Sequence, residues 1–199
     1  MQPDRRGAIA DAGIALVARD GIRALTHRAI DRELGLPAGS TSYYARTRRA
    51  LIEALVHRLV ERTAEDVEAP LPTTVEDAAA RLGAMTAFMI TDRAADNRAR
   101  FALAVELAGD PRDAELHAFV TSRSPIRAAL LRGARDLLIA VGVPDADRRA
   151  PDLIALADGL VHDRLVGSRS DARERPADLR ASLTAVFADY LRGAANHAK

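Results

Sequence analysis

Apolar residues recur every three or four positions along most of the chain, and this spacing predicts α-helices. The first apolar stripe indicates a helix from Arg5 to Arg19, which Asp20 and Gly21 would end. No segment shows the sustained alternation of apolar and polar residues that is typical of a β-strand. The sequence therefore predicts an all-α fold.

Residues 26–51 contain two short helical segments separated by a turn with glycine. Thr26 is placed to cap the first segment, and Gly35 is placed to end it. The second segment, 37–44, is rich in hydroxyl groups and ends in adjacent tyrosines, after which Thr47 would cap a new helix. Two short helices joined in this way indicate a helix-turn-helix, whose second helix would lie in a DNA groove.

The rest of the chain is predicted to form helices divided by proline, glycine and acidic residues. A long helix is expected from Arg48 to about Val67, and two prolines in the linker at 68–74 would stop it. Further helices are predicted at 75–91, 97–108, 114–121, 125–141, 153–166 and 179–191. The expected organisation is a helix-turn-helix DNA-binding domain at 1–47 and a larger helical domain at 48–199.

Composition and charge agree with this interpretation. The 199 residues are 48% hydrophobic, which is ample for a core, and there is no cysteine for a disulfide or a thiolate ligand. No apolar run suits a signal peptide or a membrane span, so we expect a cytoplasmic protein without a membrane partner. The net charge is only +1, but residues 1–62 hold eleven arginines against seven acidic residues. The excess positive charge therefore lies around the predicted helix-turn-helix.

Sequence patterns of catalysis and metal binding are missing. The five histidines never adopt a ligand spacing such as H-E-x-x-H, and neither a G-x-S-x-G motif nor a phosphate-binding glycine loop is present. We therefore expect no enzymatic activity, no cofactor and no metal.

The helix-turn-helix segment resembles a known family. The matching positions are Gly21, Thr26, Ile30, Leu34, Gly35, Leu36, Gly39, Ser40, Tyr43, Tyr44, Arg48, Ala50 and Leu51. They resemble the DNA-binding domain of the tetracycline-repressor (TetR) family of bacterial transcription regulators, over about the first quarter of the chain. The resemblance implies a three-helix DNA-binding domain joined by a long helix to a helical effector-binding and dimerisation domain.

Three positions depart from the pattern of that family. Pro37 stands where a capping Ser or Asn is usual, Thr41 where an aliphatic residue is expected, and Ala45 where a Phe commonly closes the core. We expect these departures to loosen the seat of the second helix and to weaken its selectivity for sequence.

The resemblance implies binding of double-stranded operator DNA by a homodimer, with the 37–44 helix in the major groove. This segment has no Arg, Asn or Gln, the side chains that make bidentate base contacts. Base contacts are therefore expected from Ser40, Ser42, Tyr43 and Arg28. Phosphate contacts are expected from Thr26, His27, Tyr44, Thr47 and Arg48. Arg5 and Arg6, expected in a flexible arm, would enter the minor groove.

The resemblance also implies a small-molecule effector for the second domain, and the apolar candidates favour a hydrophobic or amphipathic one. The candidate ligand residues are Met85, Phe88, Met89, Phe101, Glu106, Phe119, Asp158 and His162. The alternative is that most of the apolar members are ordinary core. Glu106 is included because a polar group among apolar neighbours needs a partner. Asp158 and His162 lie one turn apart and would face either the ligand or the dimer interface.

The last two predicted helices are the expected dimer interface. Their apolar stripes consist of Leu153, Leu156, Leu160, Leu179, Leu183, Val186, Phe187 and Tyr190. Such stripes need covering, by a second copy or by a monomeric core.

The expected function is a ligand-responsive repressor, released from a near-palindromic operator by a small molecule. The alternative is a helical small-molecule or partner-binding protein that no longer selects a DNA sequence.

Overall fold

The structure is a computed structural model that describes residues 4–64 and 71–196. The helices are α1 (Arg5–Asp20), α2 (His27–Glu33), α3 (Ser40–Tyr44), α4 (Arg48–Ala64), α5 (Val75–Thr91), α6 (Ala94–Ala108), α7 (Ala114–Val120), α8 (Pro125–Ala140), α9 (Ala146–Leu165) and α10 (Pro176–Asn196). Two short 3-10 turns, Ile22–Ala24 and Pro111–Asp113, precede α2 and α7. No strand occurs within these residues, so the prediction of an all-α fold is confirmed.

Several predicted helix ends are confirmed by their hydrogen bonds. The Thr26 hydroxyl accepts from the Ala29 amide, and the Thr47 hydroxyl accepts from the Ala50 amide, both at 3.1 Å. Gly35 follows α2 in the left-handed region at φ 63°. These short polar caps define where α2 and α4 begin.

The first compact unit comprises the described parts of 1–67 and 95–127. Its core joins α1 to α4 with α6 and α7, and Leu51, Leu55, Leu103 and Leu107 are nearly or fully inaccessible to solvent. Gly13 lets α1 approach α4 closely, because a Cβ there would lie 2.6 Å from Leu55 Cδ1. This core packs against one side of the helix-turn-helix and leaves residues 42–44 of α3 exposed.

The second compact unit comprises the described parts of 68–94 and 128–199. Here α5 packs against α10 along small residues, since a Cβ added to Gly83 would lie 2.8 Å from the Thr184 nitrogen. Phe187 and Leu183 on α10 are fully buried, and Leu153 on α9 is 1% exposed. The unit therefore has its own core.

The compact units do not follow the predicted division at 47 and 48, because α4 packs with the helices before it. That division concerned DNA-binding and effector-binding domains, and it stays a prediction. The predicted end of the long helix near Val67 and the start of the linker at 68–70 lie outside the described residues.

Three local predictions are wrong. The second helix of the helix-turn-helix begins at Ser40, not at residue 37, because Gly39 takes φ 91° and the Ser40 amide closes a turn onto the Pro37 carbonyl. Arg5 and Arg6 lie in the first turn of α1, which Asp4 caps, and not in a flexible arm. The last two helices begin earlier, at Ala146 and Pro176.

The helices of the structure were compared with the length and hydropathy that a membrane span requires. None of the helices in the described ranges is both long and apolar enough to cross a bilayer.

Candidate nucleic-acid interface

The turn between α2 and α3 is held by the carboxylate of Asp31. Its Oδ2 accepts from the Gly39 amide at 2.8 Å, and its Oδ1 accepts from the Thr41 amide at 2.8 Å and from the Thr41 hydroxyl at 2.6 Å. Asp31 is 3% exposed and Thr41 is fully buried. A buried charge is tolerated when hydrogen bonds replace its water shell, and here three donors do so.

The same bonds set the protonation state of Asp31. The Thr41 hydroxyl holds the pKa of this carboxyl below its ordinary value, against the raising effect of burial, and the Thr41 and Gly39 amides and nearby His27 lower it further. The Asp31 side chain is therefore the acceptor that all three donors require.

The helix α3 carries three side chains predicted to contact bases, Ser40, Ser42 and Tyr43, and one predicted to contact phosphate, Tyr44. Tyr43 is 82% exposed, Tyr44 is 40% exposed, and Ser42 is exposed. The two rings meet edge to face with centroids 5.2 Å apart. Ser40 is half-buried, and its hydroxyl donates to the Pro37 carbonyl. The structure thus leaves Ser42 and both tyrosines open to solvent.

Some polar residues around α3 are exposed, and others are hydrogen-bonded within the protein. Arg28 is exposed on α2, and Thr26 and Thr47 cap their helices from exposed positions. His27 is half-buried, and its Nε2 donates to the Ala45 carbonyl at 2.6 Å. This bond connects the start of α2 with the end of α3, so His27 has a structural role besides its predicted phosphate contact.

Arg48 is also hydrogen-bonded within the protein. Its Nη1 donates to the Leu25 carbonyl at 2.7 Å, and its Nη2 donates to the Ile22 carbonyl at 3.0 Å and to Glu106 at 3.4 Å. The side chain remains 43% exposed. Whether it also contacts phosphate stays a prediction.

The departures from the family pattern do not leave gaps in the structure. Thr41 uses its hydroxyl to bind Asp31, and Ala45 is 5% exposed within the core of the first unit. Pro37 offers its carbonyl to the amide and the hydroxyl of Ser40. The expected loosening of the second helix is therefore not supported by these contacts.

Sequence reasoning missed Asp31 and the carbonyl contacts of Arg48. A signal for Asp31 was available, because it adjoins Ile30 in a helix that packs on the core, and a buried acid requires donors. No local signal identifies the acceptors of Arg48, which lie 23 and 26 residues before it.

The predicted ligand residues fall in both compact units. Phe101, Glu106 and Phe119 belong to the first unit, where Glu106 is exposed and the Phe119 ring contacts His57 with centroids 4.9 Å apart. Met85, Phe88, Met89, Asp158 and His162 belong to the second unit, where Met85 is 42% exposed and His162 is exposed.

Within the second unit, a groove of about 970 Å³ lies between α5 and α10. Its lining is mainly apolar, and Phe88 is the predicted ligand residue that contributes to it. Arg180, Asp189 and Arg192 add charged groups along its α10 side. The groove is concave and mainly apolar, as small-molecule sites commonly are.

Half of the predicted dimer residues are buried inside one chain. Leu153, Leu179, Leu183 and Phe187 are 5% exposed or less, because α5 packs on both α9 and α10. Leu156, Leu160 and Tyr190 are half-buried, and Val186 is 37% exposed. The surface that a partner would cover thus consists of these four residues and of small exposed ones such as Gly159.

Clusters of three or more acidic or histidine side chains that would hold a metal ion are not found in the described part of the chain.

A helical protein with an exposed second helix in a helix-turn-helix is a DNA-binding regulator by class. The family model described as tetracyclin repressor-like, C-terminal domain, matches residues 73–193. This match covers more than half of the chain, so the chain belongs to that family, and the family expected from the sequence is confirmed.

Solved structures share the fold. A transcriptional regulator from Rhodococcus sp. RHA1 is 23% identical over 96% of this chain and 98% of its own, with a TM-score of 0.73. The multidrug binding protein EbrR complexed with ethidium is 25% identical over 94% and 99%, with a TM-score of 0.58. A regulator from Saccharomonospora viridis in complex with choline is 18% identical over 92% and 94%, with a TM-score of 0.68. Among curated proteins no sequence matched the chain.

Proposed function

We propose that this member of the family is a ligand-responsive repressor that binds a near-palindromic operator as a homodimer. The observation that carries the proposal is the α3 surface, where Ser42, Tyr43 and Tyr44 are exposed on a helix fixed by the buried Asp31. Large aromatic side chains on an otherwise polar surface suggest a partner, and the surrounding arginines favour a phosphate backbone.

Each predicted contact keeps its place in this proposal. Ser40, Ser42, Tyr43 and Arg28 would contact bases, and Thr26, His27, Tyr44, Thr47 and Arg48 would contact phosphates. Because α3 lacks Arg, Asn and Gln, much of the selectivity would come from the shape and deformability of the DNA.

The dimer would form through α9 and α10. Their exposed surface combines half-buried leucines with small residues, which allows two helices to approach closely. Two α3 helices would then enter successive major grooves about one DNA turn apart.

The effector would be a hydrophobic or amphipathic small molecule. The ethidium and choline complexes of related folds support small-molecule binding, and the α5–α10 groove with Phe88 is a concave surface of the second unit that would suit such a ligand. Release of DNA requires that the ligand bind one arrangement of the dimer better than the other.

The test is selection of preferred duplexes from random DNA by the full chain, followed by footprinting. We expect two inverted half-sites, protected by two copies of the chain, and loss of protection with an effective ligand. Weak binding that is equal for all sequences would contradict the proposal and favour a helical binding protein that does not select DNA.

A further inference from the structure

The helix α3 is too short to be stable by itself. It has five residues, and its N-cap is Gly39, which has no side chain to accept from the first amides. Isolated helices of this length are not populated in water, because nucleation costs more than one or two hydrogen bonds return. The orientation of α3 must therefore be set by contacts from elsewhere in the chain.

Asp31 supplies those contacts from the neighbouring helix. Its carboxylate accepts from the amide of Gly39, the N-cap of α3, and from the amide of Thr41, which a capping side chain normally satisfies. Its backbone carbonyl accepts from the Leu36 amide at 2.8 Å. One residue thus fixes the beginning of the turn through its backbone and the end of the turn through its side chain.

Thr41 makes the connection specific. Its hydroxyl donates to the same carboxylate oxygen that accepts from its amide, and both side chains are shielded from water. Hydrogen bonds to an ionised acceptor are shorter and stronger than neutral ones. The amides that Asp31 occupies are not available to DNA phosphates, so Asp31 serves the protein and not the ligand directly.

We propose that Asp31 is a positioning residue for sequence-selective DNA binding, acting with Thr41 to hold α3 in the orientation that presents Ser42, Tyr43 and Tyr44. The inference rests on the proposed function. A fixed α3 makes the fit of one DNA sequence distinguishable from another, whereas a tilting α3 would still bind phosphates through the surrounding basic residues.

The charge of Asp31 allows two roles to be distinguished by the direction in which DNA affinity changes when the charge is removed. If the carboxylate acted only through its negative charge, replacing it by an amide would strengthen binding to every duplex. If it positions α3, the same replacement weakens binding to the preferred duplex, because a carboxamide cannot accept from three donors at two oxygens. Glu33→Gln is the matched control, since it removes a carboxylate from the same helix that pairs with Arg19 on α1 and makes no bond to the turn.

The experiment uses the full chain, the duplex selected by the wild type, and a scrambled duplex of equal length and composition. We expect Asp31→Asn and Thr41→Val each to lower the ratio of selected to scrambled affinity by at least about tenfold. Thr41→Ser, which keeps the hydroxyl, should stay within about twofold of the wild type. Glu33→Gln should keep the ratio and bind both duplexes equally or more tightly.

Amide hydrogen exchange on the free protein supplies a second readout. In Asp31→Asn the amides of Gly39 and Thr41 should exchange at least about tenfold faster, while those of α1 remain protected. If Asp31→Asn does not fold, Thr41→Val decides the question, because it removes only the hydroxyl.

An unchanged affinity ratio in folded Thr41→Val and Asp31→Asn would overturn the positioning role while leaving the proposed function intact. A wild-type chain without any preferred duplex would overturn the proposed function first. The exchange rates would then still show whether Asp31 holds the turn.

Discussion

The guanidinium of Arg48 donates a hydrogen bond to the carbonyl oxygen of Leu25 at 2.7 Å. Leu25 immediately precedes Thr26, the cap of α2, and a second bond from Arg48 reaches Ile22 in the 3-10 turn before it. Arg48 therefore ties the start of α4 to the chain that leads into the helix-turn-helix. The planar fork of arginine suits this arrangement, because its two terminal nitrogens reach two carbonyls at once.

Two substitutions separate this bracing from a phosphate contact. With Arg48→Ala we expect affinity to fall about equally for all DNA sequences. The negative slope of log affinity against log salt should become shallower by about one. With Arg48→Lys we expect the slope to be retained and the melting temperature to fall nearly as far as in Arg48→Ala. Titrations at several salt concentrations and thermal unfolding measure both quantities. An unchanged slope in Arg48→Ala would remove Arg48 from the phosphate contacts and leave its bracing role.

Arg28 is expected to act on sequence preference. It is exposed on α2 and has the side chain best suited to bidentate contact with guanine. Arg28→Ala should cost about 1–3 kcal/mol at the preferred base pair and relax the preference there. Affinities for duplexes substituted one base pair at a time would show this, and a preference that survives at every position would exclude a base contact.

Asp31 predicts a dependence of stability on pH. Its pKa is lower in the folded protein than in the unfolded chain, mainly because the Thr41 hydroxyl donates to it. Its contribution is therefore complete above the unfolded pKa of about 4 and is lost as pH falls through the folded pKa. The difference in unfolding free energy between wild type and Asp31→Asn should be constant from pH 7 to about 5 and shrink below about 4. A difference independent of pH down to the acid limit would mean that the carboxylate charge is not what stabilises the turn.

The dimer surface is tested at Gly159 on α9. Gly159 is exposed, and a Cβ added there meets no atom outside its own helix backbone and chain neighbours within 4 Å, so Gly159→Arg should fold. Placed in a helix interface, the same arginine would bury an unpaired charge, and the mass measured by light scattering should fall from two chains to one. Gly133→Arg on α8 is the control, because its surroundings are equally open. Two chains in Gly159→Arg would exclude this surface.

Close packing of α5 on α10 makes Gly83 sensitive to a single methyl group. A Cβ there would lie 2.8 Å from the Thr184 nitrogen and 3.0 Å from its Cα, which are backbone atoms that cannot rotate away. We expect Gly83→Ala to destabilise the protein by about 1–3 kcal/mol. Gly133→Ala, in open space on α8, should instead be neutral or stabilise by up to about 1 kcal/mol. Denaturant unfolding of the two variants provides the comparison, and equal stability would mean that the two helices separate without cost.

Local chemistry determined much of the fold in advance. Thr26 and Gly35 specified the two ends of α2, and Thr47 specified the start of α4, because a cap or a left-handed glycine acts within three or four residues. The start of a helix that contains a proline was harder to predict from the sequence. Pro151 lies inside α9, where packing on the core outweighs the lost hydrogen bond, and the helix therefore begins at Ala146.

Burial in the last two helices required the tertiary structure. The sequence showed that Leu183 and Phe187 lie on an apolar stripe, which fits either a partner or an internal core equally well. The structure buries both within the chain, since the small residues of α5 let it approach α10 closely. An apolar stripe in the sequence indicates that a helix face is buried. Which element buries it depends on how the neighbouring helices pack.

The sequence by itself determined the all-helical class, the helix-turn-helix and the pair of tyrosines that ends its second helix. These features depend on the spacing of residues along one chain segment. Only the tertiary structure decided that Thr41 is bound to Asp31 and that Arg48 is bound to Leu25, because each pair joins residues on different elements. Hydrogen bonds between distant residues depend on how the helices are packed, and that packing is a property of the whole unit and not of a local pattern.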